Sequence, residues 1–199
     1  MKRTPHPIEV ESYRLLRGRV DTTGLAPLSR AVVERIVHTT ADPTWVGDVV
    51  ADEEALHAGR RALTGGGPLI ADVRMVAAGV TALETVVGLD LPGVATLAGD
   101  EDVTRSAAGI RLAAREHPAA AVWAIGNAPT ALVELVRLAE AGEVRPALVI
   151  GVPVGFVGAT ESKSALRRSG LPALSTRTER GGAAVAAAAV NALLYFEAS

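Results

Sequence analysis

The chain predicts a single three-layer α/β/α domain on a mainly parallel sheet, with helical additions at its N-terminal end. Three observations predict it. From residue 67 onward, short apolar runs of strand type alternate with helical stretches of roughly ten to fifteen residues, the pattern of βαβ units. Apolar residues make up 49% of the chain and aromatics only 3%, so Ala, Val, Leu and Ile must fill the core. The 199 residues suit one domain, with no internal repeat or low-complexity linker to divide it. Residues 1–66 read as a helical part and 67–199 as the βα alternation.

The elements follow in order. Glu9 to Arg19 reads as a short amphipathic helix, and Asp21 to Pro27 as a turn-rich connection. Ser29 offers an N-cap to the run RAVVERIVH, whose Val32, Val33, Ile36 and Val37 form a helical stripe broken at Asp42-Pro43. Asp52 caps EEALHAGRRAL, which stops at Gly65-Gly66-Gly67. Pro68 to Val73 is a strand followed by the helical RMVAAGV, and Val94 to Leu97 a weaker strand. Val103 to His117 is a helix ended by Pro118, Ala120 to Ile125 a strand, and Pro129 to Ala141 a helix opened by proline and closed by Gly142. Ala147 to Ile150 is a strand, Thr160 to Ser169 a helix, Leu171 to Ser175 a strand, and Ala183 to Phe196 the final helix.

Composition excludes several functions. Twenty basic and 22 acidic residues leave a formal charge of -2, which gives no reason to expect nucleic acid or an anionic membrane as partner. There is no cysteine, so thiolate nucleophiles, disulfides and cysteine-ligated metals are out. The N-terminal MKRTPHPIEVESY has no apolar stretch of signal-peptide type, and Ala183 to Leu194 is too short for the roughly 20 residues a bilayer needs. A soluble cytoplasmic protein is expected. Only Lys2 and Lys163 are lysines. An arginine-rich chain suits a polycarboxylate ligand, although joint enrichment in Ala, Arg, Val and Gly also follows from nucleotide bias in a genome.

Open α/β sheets bind ligands at the carboxyl ends of their strands, and two loops stand out there. Gly126-Asn127-Ala128-Pro129-Thr130 opens a helix, where free backbone N–H groups and the helix dipole favour an anion. Gly151 to Gly158 (GVPVGFVG) leads into TESKSALRR, its glycines allowing close approach of a ligand. Neither loop has G-x-G-x-x-G, and Lys163 follows Ser162 rather than the glycine of a P-loop. Tight strand-to-helix turns alone would explain either loop taken singly. The four histidines, His6, His38, His57 and His117, have no zinc-site spacing. His57 and His117 fit surface positions. His38 closes an apolar helix, whose negative end stabilises an imidazolium by up to about 2 kcal/mol, so it is a candidate proton donor. Position alone favours a capping or core role.

Several stretches in order, ESYR from Glu11, VHTTADP from Val37, RMVAAGVT from Arg74, TRSAAG from Thr104, AIGNAPTAL from Ala124, GVPVGFVGATESK from Gly151 and RGGAAVAAAAVNAL from Arg180, closely resemble the precorrin-8X methylmutase family over nearly the whole chain. The resemblance implies migration of a methyl group from C11 to C12 of a corrin precursor. The product would be hydrogenobyrinic acid, or cobyrinic acid from the cobalt-containing substrate. It implies no cofactor, no metal, and a homodimer whose active sites lie where subunits meet. His38 matches the family's catalytic histidine and Ser12 its substrate-contacting serine. The substrate-binding set carried by these motifs is Ser12, Arg74, Thr81, Arg105, Ser106, Gly126, Asn127, Ala128, Thr130, Gly155 and Phe156.

Such a shift needs no nucleophile or redox centre; what helps is a proton on a ring nitrogen, which His38 would supply. Ser12, Arg105, Ser106 and the N–H groups near Asn127 and Thr130 are the candidate partners for the acetate and propionate carboxylates, with Phe156 an apolar contact for the ring. The bland alternatives are that Ser12 faces solvent, Arg105 pairs with Glu101, and Phe156 is core. The segment Leu83 to Asp102 is shorter than usual, and Ala82 and Leu83 follow Thr81 where the family often has an arginine. Two other functions stay open on the sequence: a non-catalytic corrinoid carrier on the same scaffold, and a nucleotide-using α/β enzyme.

Overall fold

The computed structural model describes residues 6–197; the first five residues of the stretch read for a leader lie outside them. The helices are α1 (Pro7–Arg17), α2 (Pro27–Thr40), α3 (Trp45–Asp48), α4 (Glu53–Thr64), α5 (Arg74–Ala78), α6 (Val94–Asp100), α7 (Arg105–Glu116), α8 (Pro129–Glu140), α9 (Ala159–Arg168) and α10 (Ala183–Tyr195). The strands are β1 (Val49–Ala51), β2 (Leu69–Ala71), β3 (Thr85–Val87), β4 (Val122–Ile125), β5 (Leu148–Gly151) and β6 (Ala173–Thr176). They form one sheet in the order β1-β6-β5-β4-β2-β3, parallel except for β1, which pairs antiparallel with β6.

The sheet is covered on both faces, which is why its central strands read as unbroken apolar runs. Leu69, Ala71, Val122, Ala124, Leu148, Ile150 and Leu174 point into a core shared with α2, α4 and α10. Ile70, Trp123, Ile125 and Val149 point the other way, into a core shared with α7, α8 and α9. Alternation along each strand divides the two sets. The predicted α/β/α layering and mainly parallel sheet are therefore observed.

Four local expectations are corrected. Val94 to Leu97 is not a strand but the first turn of α6, entered through Gly93 at φ 86°. The part expected to be helical contains β1, and β3 was not foreseen; both are three-residue edge strands, only half-buried and too short to carry a pattern. Ser29 does not cap α2, which begins two residues earlier, at Pro27. Instead Glu53, at the start of α4, accepts from the N–H groups of Leu28 and Ser29 and from the Ser29 hydroxyl, at 2.6–2.8 Å. A carboxylate at a helix N-terminus satisfies two orphan donors and favours the dipole. Asp52 does cap α4, accepting from the N–H of Ala55 at 2.7 Å.

The helix α10 is almost all small side chains (AAVAAAAVNALLY), so it lies close against both the sheet and α2. That contact brings the C-terminal end of α2 to the carboxyl edge of the sheet. Asp42 and Thr44, just beyond α2, meet Arg180, just beyond β6. The guanidinium of Arg180 also lies 4.0 Å from the centre of the buried Trp45 ring, a cation–π contact.

Candidate active site

The helix α1 starts cleanly because Pro7 sets φ at its first position and the His6 side chain accepts from the N–H of Ile8 at 3.3 Å. Glu9, Ser12, Tyr13 and Leu16 recur at helical spacing and face α2, where Leu16 is buried. His38 lies in the last turn of α2, which Ala41 ends in a left-handed conformation at φ 53°. Its Nδ1 is 2.8 Å from the Ser12 hydroxyl oxygen, and its ring stacks on Tyr13 with centroids 4.9 Å apart and planes 7° apart. Among the described residues no other hydrogen bond reaches the ring, so Nε2 is unengaged.

Ser12 and His38 border a cavity of about 560 Å³, lined otherwise by Pro7, Ile8, Glu11, Leu15, Leu16, Arg19, Val20, Val37, Ala41 and Pro43. That is a mainly apolar surface with a few convergent polar groups, the usual make-up of a small-molecule site. Arg19 was not anticipated: it is one of many arginines, and only the fold sets it beside His38. Its side chain has no partner among the described residues.

Burial pushes the Tyr13 phenol up from the ordinary tyrosine value, against the pull of the facing Arg35 guanidinium, so the hydroxyl stays protonated. Arg35 donates to Glu9 at 2.9 Å and lies 3.5 Å from the Tyr13 hydroxyl.

The remaining predicted residues, Thr81 apart, lie toward the carboxyl edge of the sheet. Strand order reverses between β2 and β4, the place where such folds open a crevice for ligands. Here Asp72, one residue past β2, fills it. Its carboxylate accepts from the N–H groups of Gly126 (3.1 Å), Asn127 (2.8 Å) and Ala128 (2.9 Å). The donors expected to be free for a ligand are thus already taken by the protein's own carboxylate. Burial pushes the Asp72 carboxyl up, and the N–H donors work against that.

Gly126 is a packing glycine: a Cβ there would lie 2.9 Å from Ala183 Cα and from a Val76 methyl. Gly126→Ala is expected to overpack this contact and cost about 1–3 kcal/mol, visible as a lower urea midpoint with an unchanged slope.

Arg74, Arg105 and Ser106 do come together, around a second cavity of about 530 Å³ that also includes Met75, Leu89 and Asp90. Arg74 is paired with Asp90 at 2.8 Å. Arg105 is not paired with Glu101, which binds Arg111 instead; among the described residues its side chain has no partner. Thr81 is exposed beyond α5 and lines neither cavity. The Thr130 hydroxyl is 2.8 Å from that of Thr104. Gly155 donates its N–H to the Glu179 carbonyl at 3.1 Å. Phe156 is not core: it is 98% exposed, with Val157 87% exposed beside it.

The loop after β6 is held from within. Lys163, fully buried, donates to the Thr176 hydroxyl (2.9 Å) and to the carbonyls of Thr178 (2.5 Å) and Arg180 (2.8 Å). Asp48 accepts from the N–H groups of Arg177 and Thr178 and from the Thr178 hydroxyl.

A doubly wound sheet with one cavity built around a serine-held imidazole and another just beyond β2 is the plan of an α/β enzyme. The family model for precorrin-8X methylmutase matches residues 7–196, and the chain belongs to that family of isomerases. A cobalt-precorrin-8 methylmutase of Methanothermobacter thermautotrophicus is 42% identical, covering 87% of this chain and 84% of that protein. A precorrin-8X methylmutase of Pseudomonas aeruginosa is 40% identical, covering 92% and 91%. The solved structure of the Thermus thermophilus precorrin-8x methyl mutase superposes with a TM-score of 0.86 at 35% identity, covering 94% of this chain and 93% of that one.

Proposed function

We propose that the chain isomerises precorrin-8X, or its cobalt-bearing form, by moving a methyl group from C11 to C12 of the macrocycle. The observation that carries this reading is the Ser12–His38 pair on the wall of an apolar cavity. With Ser12 on Nδ1, the other ring nitrogen is the one available to lend a proton to a ring nitrogen of the substrate. Protonation draws electron density toward that nitrogen and favours the shifted conjugated isomer; the methyl leaves C11 as it bonds C12, and the proton returns to His38. Atoms balance without oxidant or co-reactant.

Arg19 and Arg105, cations without protein partners among the described residues, are the natural receivers of the substrate's carboxylates. Ser12 acts on the histidine here, and its hydroxyl suits both protonation states, donating to the neutral ring and accepting from the charged one. The reading includes a cytoplasmic homodimer with shared sites. Its support is the exposure of Ile8 at the first cavity's rim (74%) and of Phe156 on the loop after β5.

The test is the visible absorption of metal-free precorrin-8X, then of its cobalt form, mixed with purified protein. A new spectrum of more extended conjugation is expected with at least one of them. Binding of both with no spectral change would sink the isomerase reading in favour of a corrinoid carrier.

A further inference from the structure

One hydrogen bond does not fix an imidazole. The torsion about the bond to the ring is broad, and the Ser12 hydroxyl on Nδ1 itself rotates. Something else must hold the ring plane of His38, and the structure offers one group. Tyr13 covers one face of the ring, with planes 7° apart and centroids 4.9 Å apart, the offset geometry that aromatic pairs prefer.

The placement of cavities gives the contact further meaning. His38 and Ser12 line the first cavity, whereas Tyr13, Arg35 and Glu9 line a separate one of about 370 Å³. The phenol ring is therefore the partition that keeps the imidazole from turning into that second space. Tyr13 is held in turn: Arg35 lies at its hydroxyl, and Glu9 accepts from the same guanidinium nitrogen at 2.9 Å.

We propose that Tyr13 is a positioning residue, its ring setting the plane of His38 so that Nε2 faces the first cavity, with Arg35 and Glu9 bracing Tyr13. This rests on His38 being the acid, and the test separates the two ideas.

Tyr13→Leu removes the stack and Tyr13→Phe keeps it. In substrate-free protein, 15N NMR of the His38 ring is expected to show one well-defined environment in wild type and Tyr13→Phe, and an averaged or displaced one in Tyr13→Leu. In turnover, Tyr13→Leu is expected to lose kcat by roughly 10- to 100-fold, the scale of a misplaced reacting group, with KM little changed. Tyr13→Phe should recover most of that loss. Wild-type ring signals and kcat in Tyr13→Leu would overturn the proposal, as would a Tyr13→Phe that falls as far as Tyr13→Leu. Should Tyr13→Leu not fold, Arg35→Gln takes its place, since it loosens Tyr13 without removing the ring. Disturbed His38 signals are then expected, and undisturbed ones overturn the proposal. Full turnover by His38→Ala would defeat the acid reading instead, while the ring signals still decide the role of Tyr13.

Discussion

His38→Ala is expected to lower turnover by about 10²- to 10⁴-fold, the usual worth of a positioned general acid, while substrate affinity stays within a few-fold. The separation follows from the site: the cavity is walled mainly by apolar side chains of α1 and α2, which supply contact area whether or not the imidazole is present. His38→Gln sharpens the result, because an amide can donate a hydrogen bond toward the substrate but has no proton to give up. If Gln fails as badly as Ala, proton transfer is the contribution. If Gln retains activity within about tenfold, hydrogen bonding is enough and the acid assignment falls. Half-burial of His38 on the last turn of a long helix means that neither change should unfold the protein, which far-UV circular dichroism checks.

Lys163→Met is expected to be the most destabilising single change, on the order of 3 kcal/mol, because each buried acceptor left without its donor costs about 1–3 kcal/mol. In a chain of this size that lowers Tm by roughly 6–12 °C. The ammonium's three N–H groups match three oxygens, those of Thr176, Thr178 and Arg180, and methionine fills the space without answering them. Burial pushes the Lys163 amine down to about 8. Between that value and the unfolded 10.5 the unfolded chain holds the proton more tightly, so this lysine's contribution to stability grows as pH rises through the window. Urea unfolding at pH 7 and pH 10 should accordingly show the gap between wild type and Lys163→Met widening at the higher pH. A gap that narrows would show that the buried amine holds its proton more firmly than an exposed one.

The parts of the fold visible in the sequence were those whose local pattern and tertiary role agree. β2, β4 and β5 are buried on both faces, so Leu69–Ala71, Val122–Ile125 and Leu148–Gly151 are apolar without interruption. β1 and β3 owe their existence to the strands they pair with, Val49 opposite the distant Thr176 and Thr85 opposite Leu69, and three half-buried residues carry no period of their own. Ser29 had the right chemistry for a cap but lost the position to a glutamate from another helix.

The site divides in the same way. His38 could be singled out because helix end and residue type are both local facts. Asp72 could not: its three donors are 54 to 56 residues distant and meet it only through the pairing of β2 with β4. Tyr13 was equally hidden, since the 13–38 stack requires the packing of α1 on α2.

The reliance of α2 on α10 has a consequence for biosynthesis of the chain. The stripe Leu28, Val32, Val33, Ile36 and Val37 leaves the ribosome well before the helix it packs against most extensively, which begins at Ala183. The edge strand that follows His38 waits for β6 in the same manner. Contacts of such high sequence separation form slowly and late, and apolar surface awaiting its partner is the kind that aggregates or recruits a chaperone. The helix that carries the imidazole is thus seated by α10, so a nascent chain that stops short of Ala183 holds the histidine on a helix without its main packing partner.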